Sequence, residues 1–366
     1  MPEVLKAPFP YFGAKSRAAP LIWEALGDPP NLVEPFCGSL AVLLGRPTPP
    51  QLETVNDACG FIVNVWRAIQ HDPDAVAHYA DQPSHECTLH AIHSWLVAQR
   101  SPLTARLEGD MDYYDAKIAG CWLWGICCYI GSGWCSGQGA WQVVDGQLVK
   151  VDGNAGQGVQ RQLTHLGNAG RGVQRQLTHL GDAGRGVQRK RTHLGNAGRG
   201  VQRKRQALSD KGGGMGVHAL TARTDGLTTW MRALCGRLRY VRVTCGDWPR
   251  VLGPSVTWKH GLSGVVLDPP YSHSERTKDL YAVEADIAPA VQAWCLANGG
   301  NPLLRIVLCG YADEYTLPGW RVVPWKATAG YSGQNLDRDN QNQHRERLWL
   351  SPACLAPQQL SMFGGA

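Results

Sequence analysis

The chain has 366 residues, 43% apolar and 18% charged, with a formal net charge of +6. That length suits more than one domain, and the composition suits a packed globular chain and excludes a disordered one. No apolar run reaches the roughly 18–20 residues of a membrane span, and Met1-Pro2-Glu3-Val4-Leu5-Lys6 has no leader pattern, so a cytosolic protein is expected.

The first periodic element is Asn31–Phe36, a short predicted strand that meets a helix opening at Leu40–Arg46. Between them an acid, Glu34, is followed by Pro35-Phe36-Cys37-Gly38-Ser39. Gly38 permits a tight turn, and a helix N-terminus offers free N–H groups. Alone, this is an ordinary strand-to-helix turn. A second strand is predicted over Leu52–Asp57 and a helix over Gly60–Gln70. Asp57 ends the strand 23 residues after Glu34, where an acid either meets the ribose diol of a nucleoside or caps the helix that follows.

The alternation then breaks over residues 70–235, and a domain inserted between the second and third strands is expected. It holds four cysteines, Cys121, Cys127, Cys128 and Cys135, with no CxxC pair and no zinc-template spacing. The chain's twelve cysteines read as reduced, packed side chains, and no metal is predicted.

Within the insertion a 14-residue unit repeats. Copies begin at Gly153, Gly167 and Gly181, and a truncated fourth at Gly195, each with a Gly-Val-Gln-Arg core. From Gly153 to Arg205 there are 11 Lys/Arg against one acid, Asp182, so the rest of the chain is net negative. Two readings stand: a glycine-rich solvated loop, or a basic arm that follows nucleic-acid phosphates. On the second, Arg161, Arg171, Arg175, Arg185, Arg189, Arg199 and Arg203 are the contact residues. His165, His179 and His193 have no companion ligand for a zinc role.

Alternation resumes with a third strand predicted over Leu238–Asp247. It ends in Asp247-Trp248, an acid and an aromatic that suit a purine ring, or an acid that merely caps a turn. A fourth strand, Ser263–Asp268, runs into Pro269-Pro270-Tyr271. Two consecutive prolines have no N–H for a ladder, so the strand stops and a rigid loop begins. Asp268 accepts a hydrogen bond from an exocyclic amine, the proline-rich backbone offers free carbonyls, and Tyr271 stacks on a flat base. This set suits an aminopurine. A helix over Val283–Gly300 and a fifth strand over Pro302–Gly310 follow. The alternation implies an α/β fold, a mostly parallel sheet with helices on both faces.

Asp268-Pro269-Pro270-Tyr271, Glu34-Pro35-Phe36-Cys37-Gly38 and Pro10-Tyr11-Phe12-Gly13-Ala14-Lys15-Ser16 together resemble the D12 class of DNA adenine N6-methyltransferases, the Dam-like enzymes, in their alpha-group order. The resemblance covers about residues 8–70 and 235–350, including a closing strand in Arg345–Pro352. The middle matches loosely, and the basic repeat resembles loops of phage and prophage members. Leu40 stands where the family has a small residue, and Ala14 where it has a glycine.

The resemblance implies a Rossmann-like class I methyltransferase sheet, built from residues 1–70 and 235–366, with a DNA target-recognition domain over 71–234. It implies S-adenosylmethionine as cofactor and double-stranded DNA as partner. Tyr11, Phe12, Gly13 and Lys15 would lie along the methionine end. Glu34, Phe36 and Gly38 would shape the turn beneath it, Asp57 would take the ribose, and Asp247 with Trp248 the adenine. The target adenine would leave the duplex to meet Asp268, Pro269, Pro270 and Tyr271. Rival readings are a cytosine N4-methyltransferase, which usually has Ser at position 268, an RNA or protein-glutamine methyltransferase, which usually has Asn there, and an inactive DNA-binding relative.

Overall fold

The computed structural model describes residues 5–11, 13, 15–129, 133–136, 141–144, 147–150, 224–270, 287–325 and 345–356. Among them, seven strands form one mixed sheet. In chain order the elements are α1 (Ala19–Leu26), β1 (Asn31–Glu34), α2 (Ala41–Leu44), β2 (Leu52–Asp57), α3 (Gly60–His71), α4 (Pro73–Ala80), α5 (Glu86–Gly109) and α6 (Ala116–Cys128). Then come β3 (Trp141–Val144), β4 (Gln147–Lys150), α7 (Thr224–Leu238), β5 (Arg242–Cys245), β6 (Ser263–Leu267), α8 (Ala288–Asn298), β7 (Leu304–Tyr311), β8 (Arg321–Pro324) and β9 (Glu346–Leu350).

The sheet order is β5-β2-β1-β6-β7-β9-β8. The five strands from β5 to β7 run parallel, and β9 is antiparallel to both β7 and β8. β1 and β6 are buried along their whole length, as central parallel strands covered on both faces must be. Alternate residues feed two apolar layers. Val265, Leu267, Ile306, Leu308 and Trp349 face one layer with Val291 and Cys295 of α8, while Val266, Val307, Cys309, Leu348 and Leu350 face the other. The expected α/β sheet with helices on both faces is thus observed.

The strand predicted over Leu238–Asp247 is shorter, Arg242–Cys245. Leu238 instead closes α7 with its side chain fully buried, and Tyr240 stands exposed in the turn between them. The apolar periodicity of Leu238 belongs to the helix, not the strand.

Polar residues of α3 tie the helices between β2 and β5 to the sheet. Asn64 donates to the Asp115 carbonyl at 2.9 Å and accepts from the Asp115 N–H at 2.7 Å, and Asp115 caps α6 through Ile118 N–H at 2.8 Å. Buried Arg67 donates to the carbonyls of Val243 (3.0 Å), Leu107 (3.2 Å), Asp110 (2.8 Å) and Tyr113 (3.3 Å). Gln70 donates to the carbonyls of Leu238 and Val241. Helices α4, α5 and α6 contribute to the same apolar core as α3. No helix of the described residues is long and apolar enough to cross a membrane.

Candidate active site at the strand carboxyl ends

From β1 the chain steps to β2 on one side, while β6, which follows later, lies on the other side. This is a switch point, and the crevice beyond the carboxyl ends of such strands is where open α/β sheets hold ligands. The turn after β1, Asp57 at the end of β2, Asp247 after β5 and Asp268 after β6 all arrive at that end.

The turn after β1 is tightly built. Cys37 N–H donates to the Asn56 carbonyl at 2.9 Å. Gly38 has φ +43° and donates its N–H to Asp57 Oδ2 at 3.0 Å. Its carbonyl accepts from Trp66 Nε1 at 2.8 Å. A Cβ on Gly38 would stand 2.5 Å from the Tyr11 ring, so only glycine lets the N-terminal segment close over the turn. Leu40, which departs from the family pattern, takes a left-handed φ of +53° as it enters α2, and is fully buried.

Lys15 is 3% exposed. Its ammonium meets a carboxylate oxygen of Asp268 at 2.7 Å and donates to the Gly13 carbonyl at 2.7 Å. Burial opposes the lysine charge, but Asp268, with Cys309 and Glu346 near it, outweighs that and moves the ammonium above its ordinary range. Burial pushes the Asp268 carboxyl up, and Lys15 opposes this. The family resemblance implies a place for Lys15 along a cofactor but not its pairing with Asp268, since nothing in the spacing of residues 253 apart signals a contact.

Glu34 is 3% exposed, and its Oε1 has no hydrogen-bond partner among the described residues. Burial, then the charge of Glu53, pushes its carboxyl up to about 8. Glu53 itself is held by Arg46 at 3.2 Å and by Arg237 at 2.7 and 2.9 Å.

Asp57 accepts from two backbone N–H groups: Cys59, just ahead of α3, at 2.9 Å through Oδ1, and Gly38 through Oδ2. Burial raises its pKa, against those N–H bonds. Beside it, Asn56 escaped the sequence reading. It is fully buried, donates to the carbonyls of Pro35 (3.1 Å) and Gly246 (2.9 Å), and accepts from Thr244 Oγ1 at 2.9 Å, joining three strand ends. Its only sequence signal is a polar residue at an inward position of β2. Asp247 is exposed and caps Trp248 N–H at 2.9 Å. Trp248 is buried and stacked on half-buried Phe36, centroids 5.9 Å apart. The structure therefore gathers Tyr11, Gly38 and Asp57 about the first turn, Lys15 with Asp268, and Phe36 with Trp248. Pro269 is buried and Pro270 half-buried at the end of β6. Phe12, Tyr271 and the repeat arginines Arg161, Arg171, Arg175, Arg185, Arg189, Arg199 and Arg203 lie outside the described residues.

The crevice fits a cationic nucleoside cofactor on its own chemistry. It has a buried carboxyl at Glu34 with one oxygen, Oε1, unpartnered among the described residues, a turn closed by glycine, and acids at two neighbouring strand ends. Among the described residues no cluster of His, Cys, Asp and Glu suits a metal ion. No curated protein matches the chain. Residues 11–91, which hold Lys15, the Glu34 turn, Asp57 and helix α3, match the family model described as D12 class N6 adenine-specific DNA methyltransferase. Over those residues the chain is similar to the D12 class N6 adenine-specific DNA methyltransferases, a family of enzymes.

Proposed function

We propose that the chain methylates the N6 amino group of adenine within a specific double-stranded DNA sequence, using S-adenosylmethionine, on a base taken out of the helix. The observation that carries this reading is a half-buried carboxylate paired with Lys15, Asp268, at the carboxyl end of β6, one strand from the Glu34 turn and followed by two prolines.

When bound, S-adenosylmethionine supplies an electrophilic methyl group. Glu34, Gly38 and Asp57 are the residues proposed to hold it, with Tyr11 against the turn and Asp247 and Trp248 at the nucleoside end. Trp248 is already stacked on Phe36, so it serves as the backing of a ring that packs on Phe36. Asp268 accepts a hydrogen bond from the adenine amino group, and the Pro269 carbonyl accepts a second. These acceptors draw the nitrogen lone pair out of ring conjugation and orient it for direct in-line attack. Lys15 keeps Asp268 ionised and able to accept. The residues thus act by positioning, an effect worth up to roughly 7–11 kcal/mol in favourable cases.

Residues 71–234 are proposed as the target-recognition insertion, and the basic repeat as an arm on DNA phosphates. Its local excess of 11 Lys/Arg over one acid supports that assignment.

The test is to incubate the protein with unmethylated DNA and S-adenosylmethionine, digest to nucleosides and analyse by mass spectrometry. N6-methyladenine is expected. Methylated cytosine would replace the reading by the N4 alternative, and no modified base with tight DNA binding would replace it by the inactive relative.

A further inference from the structure

Three carboxyl groups meet behind the first turn, and they are not equivalent. Asp268 has Lys15 at 2.7 Å, and Glu53 has Arg46 and Arg237. Glu34 shares its sheet face with Glu53 but takes no cation of its own, and its Oε1 is buried without a partner among the described residues. A buried carboxylate in that position is costly, and the group avoids the cost by keeping its proton.

Burial and the neighbouring acids together outweigh the groups that oppose them. Burial acts first, then the negative charge of Glu53 on β2, then that of Asp268 after β6, while the Leu43 N–H of α2 and Arg237 of α7 oppose them. Two thiols also face this cluster, Cys37 in the turn and Cys309 on β7, and burial holds both far up in the neutral form. They add no charge. A ligand that brings a positive charge into the crevice would do for Glu34 what Lys15 does for Asp268.

We propose that Glu34 is a proton-exchanging acceptor for a positively charged sulfonium cofactor: the free protein holds it as the carboxylic acid, and binding releases that proton to solvent. The acid O–H bond breaks heterolytically, the electron pair stays on the carboxylate, and the proton goes to buffer. Nothing is oxidised, and the ligand is chemically unchanged. This inference rests on the reading of S-adenosylmethionine as the methyl donor.

The experiment is calorimetric titration of the full chain with S-adenosylmethionine at about pH 7, repeated in buffers of different ionisation enthalpy. With a group at about 8 in the free protein, release of about 0.9 proton per site is expected. Glu34→Gln, which keeps the shape of the side chain, is expected to lose that component of the buffer dependence. Because the ligand's own amine titrates too, the difference between the two proteins is the quantity read. Binding by the wild type with no proton release overturns the inference, and so does an unchanged release in Glu34→Gln. No binding at all by the wild type overturns the cofactor reading and this inference with it, a distinguishable result. Should Glu34→Gln fail to fold, infrared difference spectra of the wild type decide. Loss of a protonated-carboxyl band on binding is expected, and an unchanged band overturns the proposal.

Discussion

The ammonium of Lys15 lies 2.7 Å from a carboxylate oxygen of Asp268, joining the N-terminal segment to the end of β6. Lys15 is almost completely shielded from water and Asp268 only partly, at side-chain exposures of 4% and 24%. Removing the lysine leaves a carboxyl whose surroundings already push it up. Lys15→Met is therefore expected to move the acid limb of the methylation pH profile upward, because Asp268 must be ionised to accept. The folded Asp268 pKa rises above its unfolded value, so the variant is least destabilised at low pH and loses stability as pH rises through that raised pKa. A cost of roughly 3 kcal/mol above it is expected, the low end for a broken buried pair because Asp268 is partly solvated. Activity profiles and denaturation at several pH values check both; an unshifted acid limb would remove Lys15 from the positioning role.

Asp268→Ala is expected to abolish methylation while leaving duplex binding mostly intact. Nucleoside analysis and a binding isotherm on the same preparation separate the two. Loss of DNA binding would argue that Asp268 holds the structure together instead.

Arg67 reaches four carbonyls on β5, α5 and the α5–α6 connection from one buried position. Arg67→Ala strands several of those acceptors, at roughly 1–3 kcal/mol for each one left without a partner. A total of about 3–5 kcal/mol is expected by urea denaturation. Arg67→Lys is expected to recover little, since an ammonium cannot span the fork of a guanidinium.

His93 is buried, stacked on Trp134 at 4.5 Å, and accepts from Cys135 N–H at 3.3 Å. Burial, with His90 adding to it, pushes its pKa down to about 4. The unfolded chain therefore binds the extra proton between about pH 6.5 and 4, and stability falls as pH falls through that window. About 3 kcal/mol is at stake. Glu34 slopes the opposite way over part of the same range, because its folded pKa is raised. The clean measurement is thus the difference between wild type and His93→Gln, which should grow more favourable to the variant on acidification. A pH-independent difference would mean that folding leaves the His93 pKa where it stands in the unfolded chain.

Deleting Gly167–Leu194 removes two whole repeats with six Lys/Arg and one acid. If the arm tracks phosphates, the slope of log affinity against log salt should flatten, by about 0.9 for each duplex phosphate the protein no longer neutralises. An unchanged slope would leave the repeat with no part in DNA binding.

The α/β alternation, the turn at Gly38 and the acids at four strand ends were legible in the sequence because each is local. Strand period, proline at a strand's end and glycine at a turn act within a few residues. The uneven charge of the repeat was legible for the same reason. The family resemblance likewise rested on short contiguous motifs, and the match over residues 11–91 agrees with it there. What tertiary structure alone decided are the pairings of distant segments. Lys15 meets Asp268, Asn56 ties three strand ends, and Trp248 is already covered by Phe36. That Leu238 closes α7 and the strand after it starts only at Arg242 was decided by where Leu238 finds a buried surface. The protonation state of Glu34 is of this second kind too. A glutamate in a sequence is an ordinary acid, and only burial beside Glu53 and Asp268, with its own oxygen unpaired, makes it something else.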